Sequence, residues 1–362
     1  MKALILVGGK GTRLYPLTKT LPKPMAPVVN RPHLERVIEW LRGHGVTDVI
    51  LTLHYKPEHF REYFGDGSKF GVNVHYVEEP EPLGTGGAIR NAEEFLDDTF
   101  LVFNGDILTD LNLTEVVRFH KEKGASVTIA LQPVDDPTRY GVVELDSDSR
   151  ILRFVEKPAP HEAPSNLINA GTYVMEPHVL RYIPKGIKYS VERGLFPTLI
   201  EQGEPVYGFA EAAEYWIDIG NLKRYLQVHT DVLAGKVGVE IPGHEVQRGV
   251  WVEDGVELGN VDFTPPVVVG RNCRIGDGAR LGPYVVIGEG CEVGERAEVR
   301  GSVIWPKCRI GRGALVEGAI LSLGCVIEEG AGVGRGTVLC EGSHIGWRSR
   351  LGEVDIPEGE GT

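Results

Sequence analysis

Near its start the chain carries Gly8-Gly9-Lys10-Gly11-Thr12-Arg13, followed a little later by Pro22-Lys23-Pro24. Glycines at these positions let backbone approach a ligand without a Cβ in the way. Successive N–H groups in such a loop form an anion-binding nest. Arg13 and Lys23 add two positive charges, and the prolines around Lys23 stiffen its backbone. The combination suits a triphosphate. It is not a Walker loop, because Thr12 and Arg13 follow Gly11 where Lys and Ser or Thr would be needed. Nor is it a dinucleotide fingerprint, whose third glycine would fall on Leu14. Two carboxylates add to the set. Asp106 closes the apolar run Phe100-Leu101-Val102-Phe103-Asn104-Gly105, and Asp218 lies inside Tyr215-Trp216-Ile217-Asp218-Ile219. An Asp in an apolar strand is costly without a partner, and a cation is a reasonable one. Mg²⁺ takes few carboxylates and completes its shell with substrate phosphates.

The elements that must position these residues follow from the apolar pattern. Lys2 to Val7 is short and apolar without a period of its own, as expected of a strand buried on both faces. Leu34, Val37, Ile38 and Leu41 have helical spacing, ending near Gly43 and Gly45. Strands are predicted at 48–53, 72–77, 100–103 and 126–131, and helices at about 114–123 and 221–234. The alternation predicts an α/β unit with a mixed, mostly parallel sheet covered on both faces. Ligands of such sheets collect at the C-terminal strand ends, where the motifs fall. Ser190-Val191-Glu192-Arg193 opens a helix with a Ser cap and first-turn acid, and a structural role is assigned to it.

Further motifs complete the pattern. They are Glu78-Glu79-Pro80-Glu81-Pro82-Leu83-Gly84-Thr85-Gly86-Gly87, Arg139-Tyr140-Gly141, Glu156-Lys157-Pro158 and Asn169-Ala170-Gly171. Together with the glycine loop they resemble the sugar-nucleotide pyrophosphorylases, a nucleotidyltransferase family with the signature G-G-x-G-T-R-L…P-K-P. The Glu-Pro-Leu-Gly-Thr run looks like the mannose-1-phosphate guanylyltransferase branch. The resemblance implies a Rossmann-like nucleotidyltransferase domain and a reaction of an NTP with a sugar 1-phosphate. It implies nucleotide contacts from Leu6, Gly8, Gly9, Lys10, Gly11, Thr12, Arg13, Glu79, Gly84 and Asp106. It implies sugar-phosphate contacts from Gly141, Glu156, Lys157 and Asn169, and Mg²⁺ on Asp106 and Asp218. Arg13, Lys23, Asp106 and Asp218 are the implied catalytic set. Glu79 matches the base-contacting position. Its carboxylate could accept from the N1–H and N2–H₂ edge of guanine, whereas uracil and thymine suit an amide better. GTP and mannose 1-phosphate are therefore favoured. A thymidylyl- or uridylyltransferase acting on glucose 1-phosphate and a non-catalytic regulatory homologue are the alternatives.

After residue 235 the period changes. Val269, Ile275, Leu281, Ile287, Val293, Val299 and Trp305 recur every six residues, and after slips Ile310, Val316, Ile327, Val333, Leu339 and Ile345 continue the series. A smaller residue lies two positions earlier, as at Val267, Cys273, Ala279, Cys291, Val303, Cys308, Ala314 and Cys325. This hexapeptide period predicts a left-handed parallel β-helix of about fourteen rungs and four to five coils. The expected division is 1–235 for the nucleotidyltransferase domain, 236–249 for a linker and 250–362 for the β-helix. Four cysteines sit at the small inward position and read as core filler. Acyltransfer, common among β-helix domains, lacks support: the repeat offers only His344, and no long loop interrupts it. Self-association through the β-helix is expected instead, giving a homo-oligomer.

With 362 residues, 42% hydrophobic and 25% charged, the chain has the composition of a globular protein of two domains. Its net charge of −13 argues against nucleic-acid or anionic-membrane binding. No apolar run approaches a membrane span and no signal peptide is apparent. Five cysteines without metal spacing fit a reducing cytoplasm.

Overall fold

The computed structural model describes residues 1–352; the expected β-helix segment 353–362 lies outside the described residues. In chain order the elements begin with β1 (Lys2–Leu6), β2 (Pro27–Val28), β3 (Arg31–Pro32), α1 (His33–Gly43), β4 (Asp48–Leu53), α2 (Pro57–Phe64) and β5 (Asn73–Glu78). Next come α3 (Gly84–Asn91), β6 (Phe100–Asn104), β7 (Ile107–Thr109), α4 (Leu113–Lys123), β8 (Val127–Pro133), β9 (Gly141–Leu145) and β10 (Ile151–Glu156). Then follow β11 (Leu167–Met175), α5 (Phe196–Glu201), β12 (Val206–Phe209), β13 (Trp216–Asp218) and α6 (Leu222–Leu233). They fall into two compact units that do not follow chain order. Among the described residues, one comprises 1–10 with 34–218, and the other comprises 11–33 with 219–352.

The first unit is built on a nine-stranded sheet. β1 lies between β4 and β6, parallel to both, and β5 extends the parallel part beyond β4. β11 runs antiparallel to β6, β8 and β9, and β9 pairs antiparallel with β10. The sheet is therefore mixed, with half of its strand pairings antiparallel rather than most of them parallel. A tight turn joins β9 to β10, and such a connection cannot join parallel strands. Its core combines Leu4, Ile50, Phe100, Val102, Ile129 and Tyr173 with Val191, Leu195 and Phe196. Both ends of α4, predicted at about 114–123, are capped. Asn112 accepts from Glu115 N–H at the start of α4, and Gly124 closes that helix in the left-handed region at φ 56°.

The second unit contains three parallel ladders of six strands each; one of them is extended by an antiparallel strand, His244–Gln247. Val252 pairs with Val269 and Val269 with Ile287, so successive coils are 17 and 18 residues long. Six coils are present, against the four to five expected. Rungs of five residues break the six-residue period, and the first and last coils expose residues such as Leu258 and Leu351. One inward position also differs. Ile304 pairs with Ile287 and Leu321 in the coil core, with Ser302 buried two residues earlier. Trp305 and Val303 are not the inward pair. Cys273, Cys291, Cys308 and Cys325 are core residues, and their thiols donate to the carbonyls of Gly288, Trp305, Ser322 and Cys340. His344 is exposed on the outer face and meets Glu328 at 2.7 Å.

Trp305 leaves the coil to serve another contact. Its indole N–H donates to Tyr225 OH of α6 at 2.9 Å, and that phenol donates to Pro27 O. Burial holds the Tyr225 phenol far above its ordinary pKa, so it remains a neutral donor. The β2–β3 hairpin that receives it is strained. Val29 and Asn30 at its tip have φ of 47° and 60°, and a β-branched residue seldom adopts this region. The tip is held by Val29 N–H to His229 Nδ1 at 3.3 Å and by Asn30 Nδ2 to Ile287 O at 2.8 Å. Arg31 meets the buried carboxylate of Glu253 at 3.3 Å. Trp305→Ala should cost about 3–5 kcal/mol, the usual range for a buried large aromatic. Urea unfolding monitored by circular dichroism would measure it; a loss under about 1 kcal/mol would show that Trp305 is not a keystone of this unit.

Candidate active site

The first unit gathers most predicted residues at the C-terminal ends of its parallel strands. Leu6 ends β1, in register with Thr52 and Asn104. Gly8, Gly9 and Lys10 continue from it, with Gly9 and Lys10 exposed. Gly8 lies under Glu79: a Cβ there would stand 3.2 Å from Glu79 Oε1 and 3.4 Å from His54 Cβ. Glu79 follows β5 and its N–H donates to Leu53 O at 2.8 Å. Its side chain is only 7% exposed and Oε2 accepts from Leu83 N–H at 2.9 Å. Burial raises its pKa, with the Leu83 bond opposing the rise. Gly84 begins α3 in the left-handed region at φ 71°.

Asp106 follows β6 and Gly105, and Gly105 N–H donates to Leu6 O at 3.1 Å. The ribbon of β7 and β13 puts Asp218 opposite Ile107, one residue from Asp106. Both carboxylates are half-buried, and Asp218 Oδ1 is closed off from solvent. The donor set, two carboxylates brought together by register, fits a divalent cation that keeps part of its shell for substrate oxygens. Among the described residues no group of three or more His, Cys, Asp and Glu could hold a metal.

Gly141 and Glu156 face each other in the β9–β10 register. A Cβ on Gly141 would come within 3.0 Å of Glu156 Oε2. Burial raises the Glu156 pKa, helped by the negative charge of Glu192. Lys157 is exposed at φ 52°, its N–H donating to Tyr140 O at 2.9 Å. Asn169 on β11 donates to Tyr173 OH at 2.9 Å and accepts from Gly171 N–H at 2.9 Å. Gly171 marks a bulge at φ 72°, where a Cβ would stand 2.7 Å from Asn104 Nδ2. The Asn169 strand is thus fastened beside the Asn104-Gly105-Asp106 turn.

The remaining signature residues belong to the second unit and are described within it. Gly11 adopts φ 61° and caps a turn over Thr12–Leu14. Its Cβ would lie 2.7 Å from Lys23 Cβ, so only glycine lets the two segments meet. Thr18 Oγ1 donates to Gly11 O at 2.9 Å. Thr12 and Arg13 are exposed, and Lys23 begins a turn between two prolines.

Sequence reasoning gave Glu192 a capping-turn role only. Ser190 does cap the turn, accepting from Glu192 N–H and Arg193 N–H. Yet the Glu192 carboxylate also accepts from Thr85 Oγ1 at 2.8 Å. The available signal was the run Gly84, Gly86 and Gly87, since closely spaced glycines imply a segment lying against them.

Comparison with known proteins agrees with this arrangement. A family model described as nucleotidyl transferase matches residues 2–235, and one described as GMPPB C-terminal domain matches residues 263–355. A Synechocystis protein named UTP–glucose-1-phosphate uridylyltransferase is 40% identical over 92% of this chain and 90% of its own. A Mycobacterium tuberculosis mannose-1-phosphate guanylyltransferase is 40% identical over 77% of each chain. Among solved structures, HddC from Yersinia pseudotuberculosis, complexed with GMP-PN, aligns with a TM-score of 0.54 at 32% identity, covering 63% of this chain and 97% of that one. With the glycine loop, the paired aspartates and the matched span of 2–235 in agreement, the chain belongs to the nucleotidyl transferase family.

Proposed function

We propose that the protein transfers GMP from GTP to mannose 1-phosphate, giving GDP-mannose and pyrophosphate. The observation that carries this reading is Glu79, a buried carboxylate at the end of β5 with Oε1 over Gly8 and Oε2 fixed by Leu83. A fixed acceptor of this kind matches the N–H edge of guanine. The mannose-1-phosphate guanylyltransferase of M. tuberculosis, at 40% identity, supports the same base and sugar. The Synechocystis relative's name favours a second reading, UTP with glucose 1-phosphate.

The chemistry needs alignment more than proton transfer. An oxygen of the sugar phosphate, already ionised, attacks the α-phosphorus of the nucleotide. A new P–O bond forms, the α–β bridging bond breaks, and its electron pair leaves with pyrophosphate. No general base is required. Gly8 to Thr12 cradle the triphosphate and Arg13 and Lys23 neutralise the leaving group. Lys157 holds the sugar phosphate, while Glu156 and Asn169 bond sugar hydroxyls and Gly141 gives the ring room. Asp106 and Asp218 would hold Mg²⁺, which when bound would neutralise charge on the reacting phosphates. The parallel ladders of the β-helix supply the surface for a homo-oligomer, which sedimentation should show as a multiple of the monomer mass.

Pyrophosphate release across GTP, dTTP, UTP, ATP and CTP, each with mannose and glucose 1-phosphates, tests the reading. Highest kcat/KM is expected for GTP with mannose 1-phosphate. A preference for UTP with glucose 1-phosphate would select the second reading.

A further inference from the structure

The turn after β5 and the turn before α5 are bound together along their length. Gly86 and Gly87 N–H both donate to Tyr189 O, at 2.9 and 3.1 Å, and Tyr189 N–H returns a bond to Leu83 O at 2.8 Å. The approach leaves no room for side chains. Cβ atoms on Gly84, Gly86 and Gly87 would stand 2.8, 2.9 and 2.8 Å from Tyr189 O, Tyr189 Cδ1 and Ile187 O. One side-chain link closes the strap. Thr85 Oγ1 donates to Glu192 Oε2 at 2.8 Å and accepts from Val191 N–H at 3.0 Å. Ser190 Oγ reaches the same carboxylate oxygen at 2.5 Å.

Each end of the strap meets a different substrate subsite. At one end Leu83 N–H fixes Glu79 Oε2. At the other, Glu192 lies on the turn Val191–Leu195, whose π-type backbone packs against β10. Such turns are frequent at functional sites. Glu192 is close enough to Glu156 and Tyr173 for its charge to act on both. A hydrogen-bonded path therefore runs from Glu79 through Leu83 and Tyr189, and through Thr85, to Glu192, whose turn packs against the strand that carries Glu156.

We infer that Thr85 and Glu192 couple base recognition to the sugar pocket, so that a seated guanine orders the acidic side of the pocket and tightens sugar 1-phosphate binding. The inference rests on the assignment of Glu79 to the base and Glu156 to the sugar. Glu192 is a positioning residue: it acts through Glu156 and the turn it begins.

The test is a binding cycle. Calorimetry gives the Kd of mannose 1-phosphate alone and with saturating α,β-methylene-GTP and Mg²⁺, which cannot release pyrophosphate. The native protein should bind the sugar phosphate about 10-fold more tightly with the nucleotide present, within the usual range of such couplings. Thr85→Val removes both hydroxyl bonds and should reduce that factor to below about twofold. Thr85→Ser should restore it, which a loss of packing alone would not predict. Glu192→Ala provides a second break in the same path and should act like Thr85→Val. Retention of the full factor in both Thr85→Val and Glu192→Ala, or no factor in the native protein, overturns the coupling. A native protein that binds neither ligand overturns the functional reading itself.

Discussion

Asp218→Asn should lower turnover by about 10²-fold or more while leaving the fold intact. Asp218 sits on a short strand opposite Ile107, with Trp216 and Ile217 before it, and its Oδ1 is closed off from solvent. A carboxylate in such a place costs desolvation free energy that an apposed cation offsets. Asn has nearly the same shape, so β13 keeps its pairing with β7. What is lost is the charge that, on the proposed reading, would help hold Mg²⁺ on the reacting phosphates. The melting temperature should change little, because Asn keeps the shape of the side chain and its capacity to accept a hydrogen bond. Steady-state kinetics at saturating Mg²⁺, with a thermal melt, separate the two effects. Turnover close to the native value would remove Asp218 from the metal site.

The second large effect concerns the base. Glu79→Gln should reduce kcat/KM for GTP by about 10- to 100-fold and shrink discrimination against dTTP and UTP. The amide oxygen can keep the bond from Leu83 N–H, which leaves the –NH₂ group in the place of Oε1, facing a guanine donor. A donor opposed to a donor loses a charge-assisted bond and leaves both groups unsatisfied. A pH effect accompanies this. Burial raises the Glu79 pKa above 4.5, so the carboxylate is ionised only above that raised value. The preference for GTP over UTP should be full above it and fall as the pH drops through it. An unchanged preference ratio in Glu79→Gln, or one flat with pH in the acid range, would remove Glu79 from base recognition.

Much of this architecture was legible in the sequence because it rests on local signals. The apolar runs gave β1, β4, β5 and β6 within a residue or so, and Gly43 marked the end of α1. The six-residue period gave the β-helix and the inward cysteines. Misreadings came where a local pattern has two solutions. Trp305 continues the period as well as Ile304 does, and only the five-residue rung decides between them. The antiparallel share of the sheet was hidden because β11 pairs with β6, β8 and β9 across long separations, which leave no periodic trace. Glu192 reads in the sequence as a first-turn acid behind the Ser190 cap, because its second partner, Thr85, is 107 positions away. Proximity of Asp106 and Asp218 was likewise invisible without the resemblance, for the register of β7 and β13 is set by tertiary structure alone.

The anchored hairpin bears on how the protein is made. Asn30 leaves the ribosome well before its partner Ile287, which is 257 positions later. At about 5–20 residues per second, synthesis imposes a delay of about 13 to 50 s before that partner exists. Until His229 is made, 200 positions after Val29, the strained tip has neither that ring nor the coil to hold it. The anchored hairpin thus reaches its final geometry only once translation has reached the third coil of the β-helix. A chain that stops short of Ile287 is left with an unfinished hairpin, so the coil that carries Ile287 serves as a check that translation has passed that point.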